Sequence, residues 1–192
     1  MEEDYSLIKK YIEGDQDSFK MLIDKHAPSI YNFTSRFVGL DQAKDTTQEI
    51  FIKVWKNLKN FDGSKAQFKT WLFTIARNTV TDYLRKKKSI SFSGLGEDNL
   101  IEETIEDEAP LPDEVFQKLQ DKEMLIKVLE EIPPLYKEVL ILHYQEDMTF
   151  KEIGEVLNKP LNTVKSYHFR AISLLKGNKL LQQNSLASCT KV

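Results

Sequence analysis

The chain has 192 residues, of which 41% are hydrophobic and 30% charged, and its formal net charge is −3. That length holds one large domain or two small ones, and the apolar share is enough for a packed core. A single cysteine, Cys189, excludes an internal disulfide and a cysteine metal cage; with no run of about 18 apolar residues and no basic leader, a reduced, cytoplasmic protein is expected.

The overall acidity argues against a nucleic-acid partner until it is mapped along the chain. Residues 1–88 carry 16 Lys and Arg against 12 Asp and Glu, residues 89–121 carry 1 against 10, and residues 122–192 carry 10 against 8. The acidity therefore sits in one central segment between two mildly basic ends. Glycine is scarce and helix formers abundant, which predicts an all-α fold. Two small helical domains, joined by a flexible acidic linker, are expected.

In chain order, Leu7, Ile8, Tyr11 and Ile12 fall at helical spacing over Asp4–Glu13, and Gly14 ends that helix. Asp15 or Asp17 caps the next, with Phe19, Leu22 and Ile23 inward. Pro28 is expected to interrupt or kink it before Ile30, Phe33 and Phe37 continue the stripe and Gly39 closes it. Over Asp41–Leu58, Ile50, Val54 and Leu58 make a narrow buried row, while Asp45, Gln48, Glu49, Lys53 and Lys56 lie toward the other side. Phe51 and Trp55, four apart, are core or contact on spacing alone. An acid-and-amide face beside large aromatics suits a partner helix carrying Arg, although on spacing alone a solvated amphipathic helix is the simpler reading.

Phe61-Asp62-Gly63-Ser64 is a turn-rich loop, and Phe68–Lys88 reads as one long helix with Trp71, Leu72, Ile75, Ala76, Val80 and Leu84 on its apolar side. From Lys65 to Lys88 stand seven basic residues (Lys65, Lys69, Arg77, Arg85, Lys86, Lys87, Lys88) and one acid, Asp82. Interleaved with Phe68, Trp71, Phe73 and Tyr83, they could line a path for single-stranded DNA, where bases stack and phosphates are neutralised. The alternative puts most of these aromatics in the core, and Trp71, with apolar neighbours at helical spacing, is assigned there.

Ser89–Asp121 is a composition break, rich in Ser, Gly, Asp and Glu and containing Pro110-Leu111-Pro112; it reads as a linker without its own core. Lys122–Ile132 begins the second domain, Pro133-Pro134 breaks the chain, and Tyr136–His143 forms the next helix with Val139, Leu140 and Leu142 inward. Met148–Lys176 then reads as two short helices about a tight turn. Thr149 and Glu152 form a capping box, and Ile153, Val156 and Leu157 share a stripe. Asn158-Lys159-Pro160 stops the first helix, since Asn tolerates a left-handed turn and Pro begins a helix but cannot continue one. The second runs from about Pro160 to Leu175. At about 100° per residue its buried sector holds Val164, Ala171, Ile172 and Leu175, and the opposite sector holds Lys165, Ser166, Phe169, Arg170 and Ser173. That outward set suits a DNA major groove, and Asn162 and Thr163 stand in the first turn, where helix N-termini hold phosphates. A solvated αα-hairpin is the alternative. Gly177–Val192 is a polar tail with no assigned role.

Two blocks carry a more specific signal. Asp41-Gln42-Ala43-Lys44-Asp45-Thr46-Thr47-Gln48-Glu49-Ile50-Phe51-Ile52-Lys53-Val54-Trp55 and Phe68-Lys69-Thr70-Trp71-Leu72-Phe73-Thr74-Ile75-Ala76-Arg77-Asn78 resemble region 2 of the extracytoplasmic-function (ECF) sigma factors of the sigma-70 family. Leu129-Glu130-Glu131-Ile132-Pro133 and the Thr149–Leu175 unit resemble region 4 of that family. The resemblance implies region 2 over residues 1–88, a linker over 89–121, region 4 over 122–176 and a tail over 177–192. It implies that Asp45, Gln48 and Glu49 grip the coiled coil of the polymerase β′ subunit. Phe61 and Asn78 would hold a base flipped from the −10 element, flanked by the cations Lys65, Lys69 and Arg77. Lys165, Ser166, Phe169 and Arg170 match residues that read the −35 element, and Asn162 and Thr163, in the first turn of the same helix, would join them. The implied partners are core RNA polymerase, through the β′ coiled coil and the β flap, promoter DNA, and an anti-sigma factor. Neither a cofactor or metal nor a small-molecule substrate, membrane insertion or enzymatic activity is implied.

Two positions depart from the family pattern. His168 stands where an aliphatic residue is usual and falls on the inner face, so a packed neutral histidine with a satisfied nitrogen is expected. Tyr167 occupies a place often held by Arg, which removes one expected phosphate contact. A conventional helix-turn-helix repressor would need a ligand, receiver or dimerisation domain that residues 1–88 do not resemble. A sigma-like decoy would have lost its outward cations, and a hydrolase built on His143 lacks any nucleophile–base spacing.

Overall fold

A computed structural model describes residues 2–90 and 132–177, and the described residues form helices in two compact units. The first unit contains α1 (Glu2–Ile12), α2 (Gln16–Val38), α3 (Leu40–Asn57), a 3-10 turn (Leu58–Asn60) and α4 (Phe68–Ile90). Further along the chain come α5 (Pro134–Leu140), a π-helical turn (Ile141–Gln145), α6 (Phe150–Leu157) and α7 (Leu161–Gly177), which apart from the last turn of α6 make up the second. The acidic segment expected over 89–121 begins inside the last turn of α4. Its remainder, the start of the second domain before Ile132, and the tail with Cys189 lie outside the described residues.

The first unit packs α2 against α1, α3 and α4 around Leu22, Ile30, Phe33, Ile50, Leu58, Leu72 and Phe73, each at most 2% exposed. Burial of such side chains contributes about 1.5–3 kcal/mol each. Phe33 meets Phe73 edge-on at 5.5 Å. Asp15 caps α2 by accepting from the Asp17 N–H at 3.1 Å and the Ser18 hydroxyl at 2.7 Å. Pro28 lies inside an unbroken α2, so of the interruption or kink expected there the interruption does not occur. Its missing N–H would have met the Asp24 carbonyl; both residues are exposed, so water can take that carbonyl, and Leu22, His26, Ile30 and Phe33 carry one buried face straight past the proline.

The N-terminus of α1 is fastened to α2 by charge. Lys25 Nζ lies 2.6 Å from Glu3 Oε2 and 2.7 Å from Asp4 Oδ1, and His26 Nε2 lies 3.3 Å from the same Asp4 oxygen. Burial alone would raise the Asp4 carboxyl, yet the hydrogen bond from Lys25 and the charge of His26 hold it below the usual carboxylate range. Burial pushes His26 below its ordinary 6.5, against the pull of Asp4.

In the second unit, Val139, Leu142, Ile153, Val164, Ala171 and Leu175 are buried. The helix expected over Tyr136–His143 is instead seven residues of α-helix followed by the π turn, with the Glu146 N–H on the Ile141 carbonyl. Within it the His143 Nδ1–H donates to the Met148 carbonyl at 2.8 Å. Tyr167 is 7% exposed, with its ring 5.6 Å from that of Tyr136. It is a core residue of α7. His168 is half-buried and its Nε2 shares a 2.8 Å hydrogen bond with the Tyr144 hydroxyl, which satisfies that nitrogen as expected.

Two predictions follow from this packing. Because folding lowers the His26 pKa, the unfolded chain protonates first as pH falls, so stability of the first unit drops as the pH is lowered from about 6.5. Thermal unfolding followed by fluorescence of Trp55 and Trp71, both in this unit, should show a shallower loss between neutral and mildly acid pH in His26→Gln than in the wild type. In α7, Tyr167→Ala should cost about 3–5 kcal/mol, while the neighbouring Phe169→Ala, at a site 38% exposed, should cost under about 1 kcal/mol in urea unfolding followed by circular dichroism.

Candidate nucleic-acid interface

Three surfaces of the described residues bear the candidate residues. On α3, Asp45, Gln48 and Glu49 are all exposed. Glu49 is pinned by Lys53 at 2.9 Å, and Lys53 also donates to Thr79 Oγ1 at 3.1 Å, which ties this face to α4. The same face continues into Ile52 and Trp55, each 51% exposed, while Phe51 is half-buried. Trp55 is therefore a surface residue. Ile52 was missed by sequence reasoning, although its spacing of seven from Asp45 signals the shared face. An acid-and-amide patch running into an exposed indole is the composition of a protein contact.

The second surface runs from the loop 61–67 along α4. The loop is shaped by an Asx turn, in which Asp62 Oδ1 accepts from the Ser64 N–H at 3.0 Å and the Ser64 hydroxyl at 2.7 Å. These bonds from Ser64, helped by Lys65 3.3 Å away, hold the Asp62 carboxyl below its ordinary value. Phe61 is half-buried, 5.2 Å from the half-buried Trp71 and edge-on to Phe68 at 5.6 Å. Phe68 and Phe73 are buried and form core, not a stacking path. Asn78 is exposed, and its spacing of seven from Trp71 places it on the same face about 10 Å further along the axis. Phe61, through Trp71, and Asn78 thus border one strip of the α4 surface. Of the cations, Lys65 is exposed, Lys69 is half-buried with Nζ 5.9 Å above the Phe73 ring, and Arg77 is half-buried.

The third surface is the outer side of α7. The capping box forms as expected, with the Thr149 N–H donating to Glu152 Oε2 at 2.8 Å and the Glu152 N–H to Thr149 Oγ1 at 3.3 Å. Asn158 ends α6 with φ 51°, and its N–H donates to Glu155 while the Lys159 N–H donates to Gly154 at 2.9 Å. This is a Schellman turn. A Cβ on Gly154 would stand 2.9 Å from the Lys159 carbonyl oxygen, so the tight turn requires glycine by close approach. On α7, Val164, Ala171, Ile172 and Leu175 are buried as the wheel requires. Asn162, Phe169 and Ser173 are exposed, and Thr163, Lys165, Ser166 and Arg170 are half-buried. The two cations are thus fixed partly against the scaffold, a feature the wheel does not show. Among the described residues no three His, Cys, Asp or Glu side chains gather to hold a metal, and no helix is long and apolar enough to cross a membrane.

Comparison with known proteins gives this arrangement its context. Residues 22–90 match the model of Sigma-70 region 2, and residues 122–175 that of Sigma-70, region 4. The chain is 32% identical over 174 residues to the ECF RNA polymerase sigma factor SigW of Bacillus subtilis, covering 88% of this chain and 92% of SigW. It is 27% identical over 172 residues to the ECF RNA polymerase sigma-E factor of Escherichia coli, covering 88% and 90%. Among solved structures, CnrH in complex with the cytosolic domain of CnrY shares the fold with a TM-score of 0.66 and 20% identity over 91% of this chain and 96% of that one. The sigma factor RpoE from Bartonella quintana, in complex with the anti-sigma factor NepR, gives 0.64 and 22% over 85% and 96%. With both region models matched in order and SigW aligned over most of its length, the chain belongs to the ECF sigma factors of the sigma-70 family, alternative sigma factors that direct promoter-specific transcription initiation.

Proposed function

We propose that the three surfaces divide the work of initiation. The α3 face, with Asp45, Gln48, Glu49 and, beyond the sequence reading, Ile52 and Trp55, binds the β′ coiled coil of core RNA polymerase. The strip from Phe61 to Asn78, with Lys65, Lys69 and Arg77 beside it, takes the melted −10 strand. The outer side of α7, with Asn162, Thr163, Lys165, Ser166, Phe169 and Arg170, reads the −35 duplex. On this reading residues 1–88 act as region 2 and residues 122–176 as region 4, anchored on the β flap. The acidic segment 89–121 spans between them, and residues 177–192 form a tail. The chain acts in the cytoplasm by binding alone, with no catalytic residue of its own.

The observation that carries this reading is the coincidence of two independent properties on α7. The residues that match the family's −35 readers are the ones its buried stripe turns outward. An anti-sigma factor is the proposed regulator. Support comes from RpoE of Bartonella quintana, solved with its anti-sigma factor, and from the exposed Ile52 and Trp55, which a free protein gains by covering.

Reconstituting the purified chain with core polymerase on genomic DNA and mapping transcript starts identifies the promoters it uses. Asp45→Arg and Glu49→Arg should each weaken core association by roughly tenfold or more while leaving the melting temperature unchanged. Wild-type affinity in both would remove the α3 assignment. On the mapped promoters, Arg170→Ala should lose about 1–3 kcal/mol at one −35 base position if its guanidinium reads a guanine. A phosphate contact would instead weaken all sequences alike and lower the salt slope by about one. Unchanged binding to every −35 variant would show that α7 is not the reader.

A further inference from the structure

The loop that carries Phe61 is held from outside by a residue far away in sequence. The Tyr5 hydroxyl, on α1, lies 3.0 Å from the Gly63 carbonyl oxygen and 3.3 Å from that of Ala66, so one phenol proton serves two carbonyls across 58 and 61 residues. The Tyr5 ring is 5.9 Å from the ring of Phe61. A Cβ on Gly63 would collide with the Cε1 edge of the Tyr5 ring, so glycine there is required by the approach of the tyrosine. Within the loop, the backbone bonds are the Phe61 N–H to Leu58 and the Lys65 N–H to Asp62. Neither engages the carbonyls that Tyr5 takes. Tyr5 itself cannot drift, because the adjacent Asp4 and Glu3 are clamped to Lys25 of α2. Tyr5 also lies upstream of the residues matched by the region 2 model, which begin at residue 22.

We infer that Tyr5 is a positioning residue for −10 recognition: its hydroxyl and ring fix the 61–67 loop so that Phe61 is presented to the melted strand, which makes α1 part of the promoter-opening machinery. The inference rests on the assignment of Phe61 to the −10 element. Phe61 packs on Phe68 and Trp71, and the Tyr5 ring adds a third contact that restrains it with its loop. An ordered aromatic face loses less freedom on capturing a base than a mobile one does.

The test uses holoenzyme reconstituted from core polymerase and the full chain carrying Tyr5→Phe, which removes only the hydroxyl. Two probes are taken from a mapped promoter: a fork-junction DNA whose −10 strand is single, and a duplex carrying the −35 element alone. Tyr5→Phe should bind the fork roughly three- to tenfold more weakly, the range expected for one lost hydrogen bond, and bind the −35 duplex and core polymerase as the wild type does. Gly63→Ala, which displaces the ring but keeps the hydroxyl, should lose fork binding to a similar degree. In a Phe61→Ala background the Tyr5→Phe penalty should vanish, a result that general loosening of the fold would not produce. Wild-type fork affinity in Tyr5→Phe, or a penalty that persists without Phe61, overturns the inference while the −10 assignment stands. Full fork binding by Phe61→Ala itself overturns both.

Discussion

What the first unit offers to solvent depends on how α4 is held down. One side of this helix buries Phe68, Leu72, Phe73, Ala76 and Val80, and the edge contact of Phe73 with Phe33 of α2 fixes its rotation about its own axis. That rotation leaves Trp71 and Asn78 together on the other side. Lys53 adds a polar tie, joining Glu49 on α3 to Thr79 on α4. The acid face and the strip along Trp71 and Asn78 are therefore presented by helices that share one core. A change of volume beneath either helix would be felt at both surfaces, since packed interiors transmit strain instead of absorbing it.

The second unit solves a different problem. Here one helix, α7, has its axis fixed while its outer side stays open. The Schellman turn at Asn158 and the close passage of Gly154 by Lys159 set the axis with backbone atoms. The capping box at Thr149 sets where α6 begins. Side chains of α7 facing inward, Tyr167 among them, supply the packing.

Much of this was legible in the sequence, because amphipathic helices advertise themselves through period and caps. The buried rows Ile50-Val54-Leu58 and Val164-Ala171-Leu175 came out where the spacing put them. Pro28 misled because proline's effect depends on whether the orphaned carbonyl can reach water, which only the fold decides. The packing role of Tyr167 went unread because the comparison with a usual Arg concerns residue type, not the direction of the side chain. The π turn after Leu140 leaves no periodic signal over five residues. The tie from Tyr5 was invisible in the sequence, because its partners are loop carbonyls nearly sixty residues away. Contacts of that reach are written in geometry, not in local pattern.

The turn between α6 and α7 has a consequence for how such a protein diversifies. Its geometry rests on a glycine, a left-handed asparagine and main-chain hydrogen bonds, none of which belongs to the outward side of α7. Exposed letters such as Asn162, Phe169 and Ser173 can then be rewritten with little effect on folding. After gene duplication, one copy can change what this surface presents by a few substitutions while inheriting its scaffold intact.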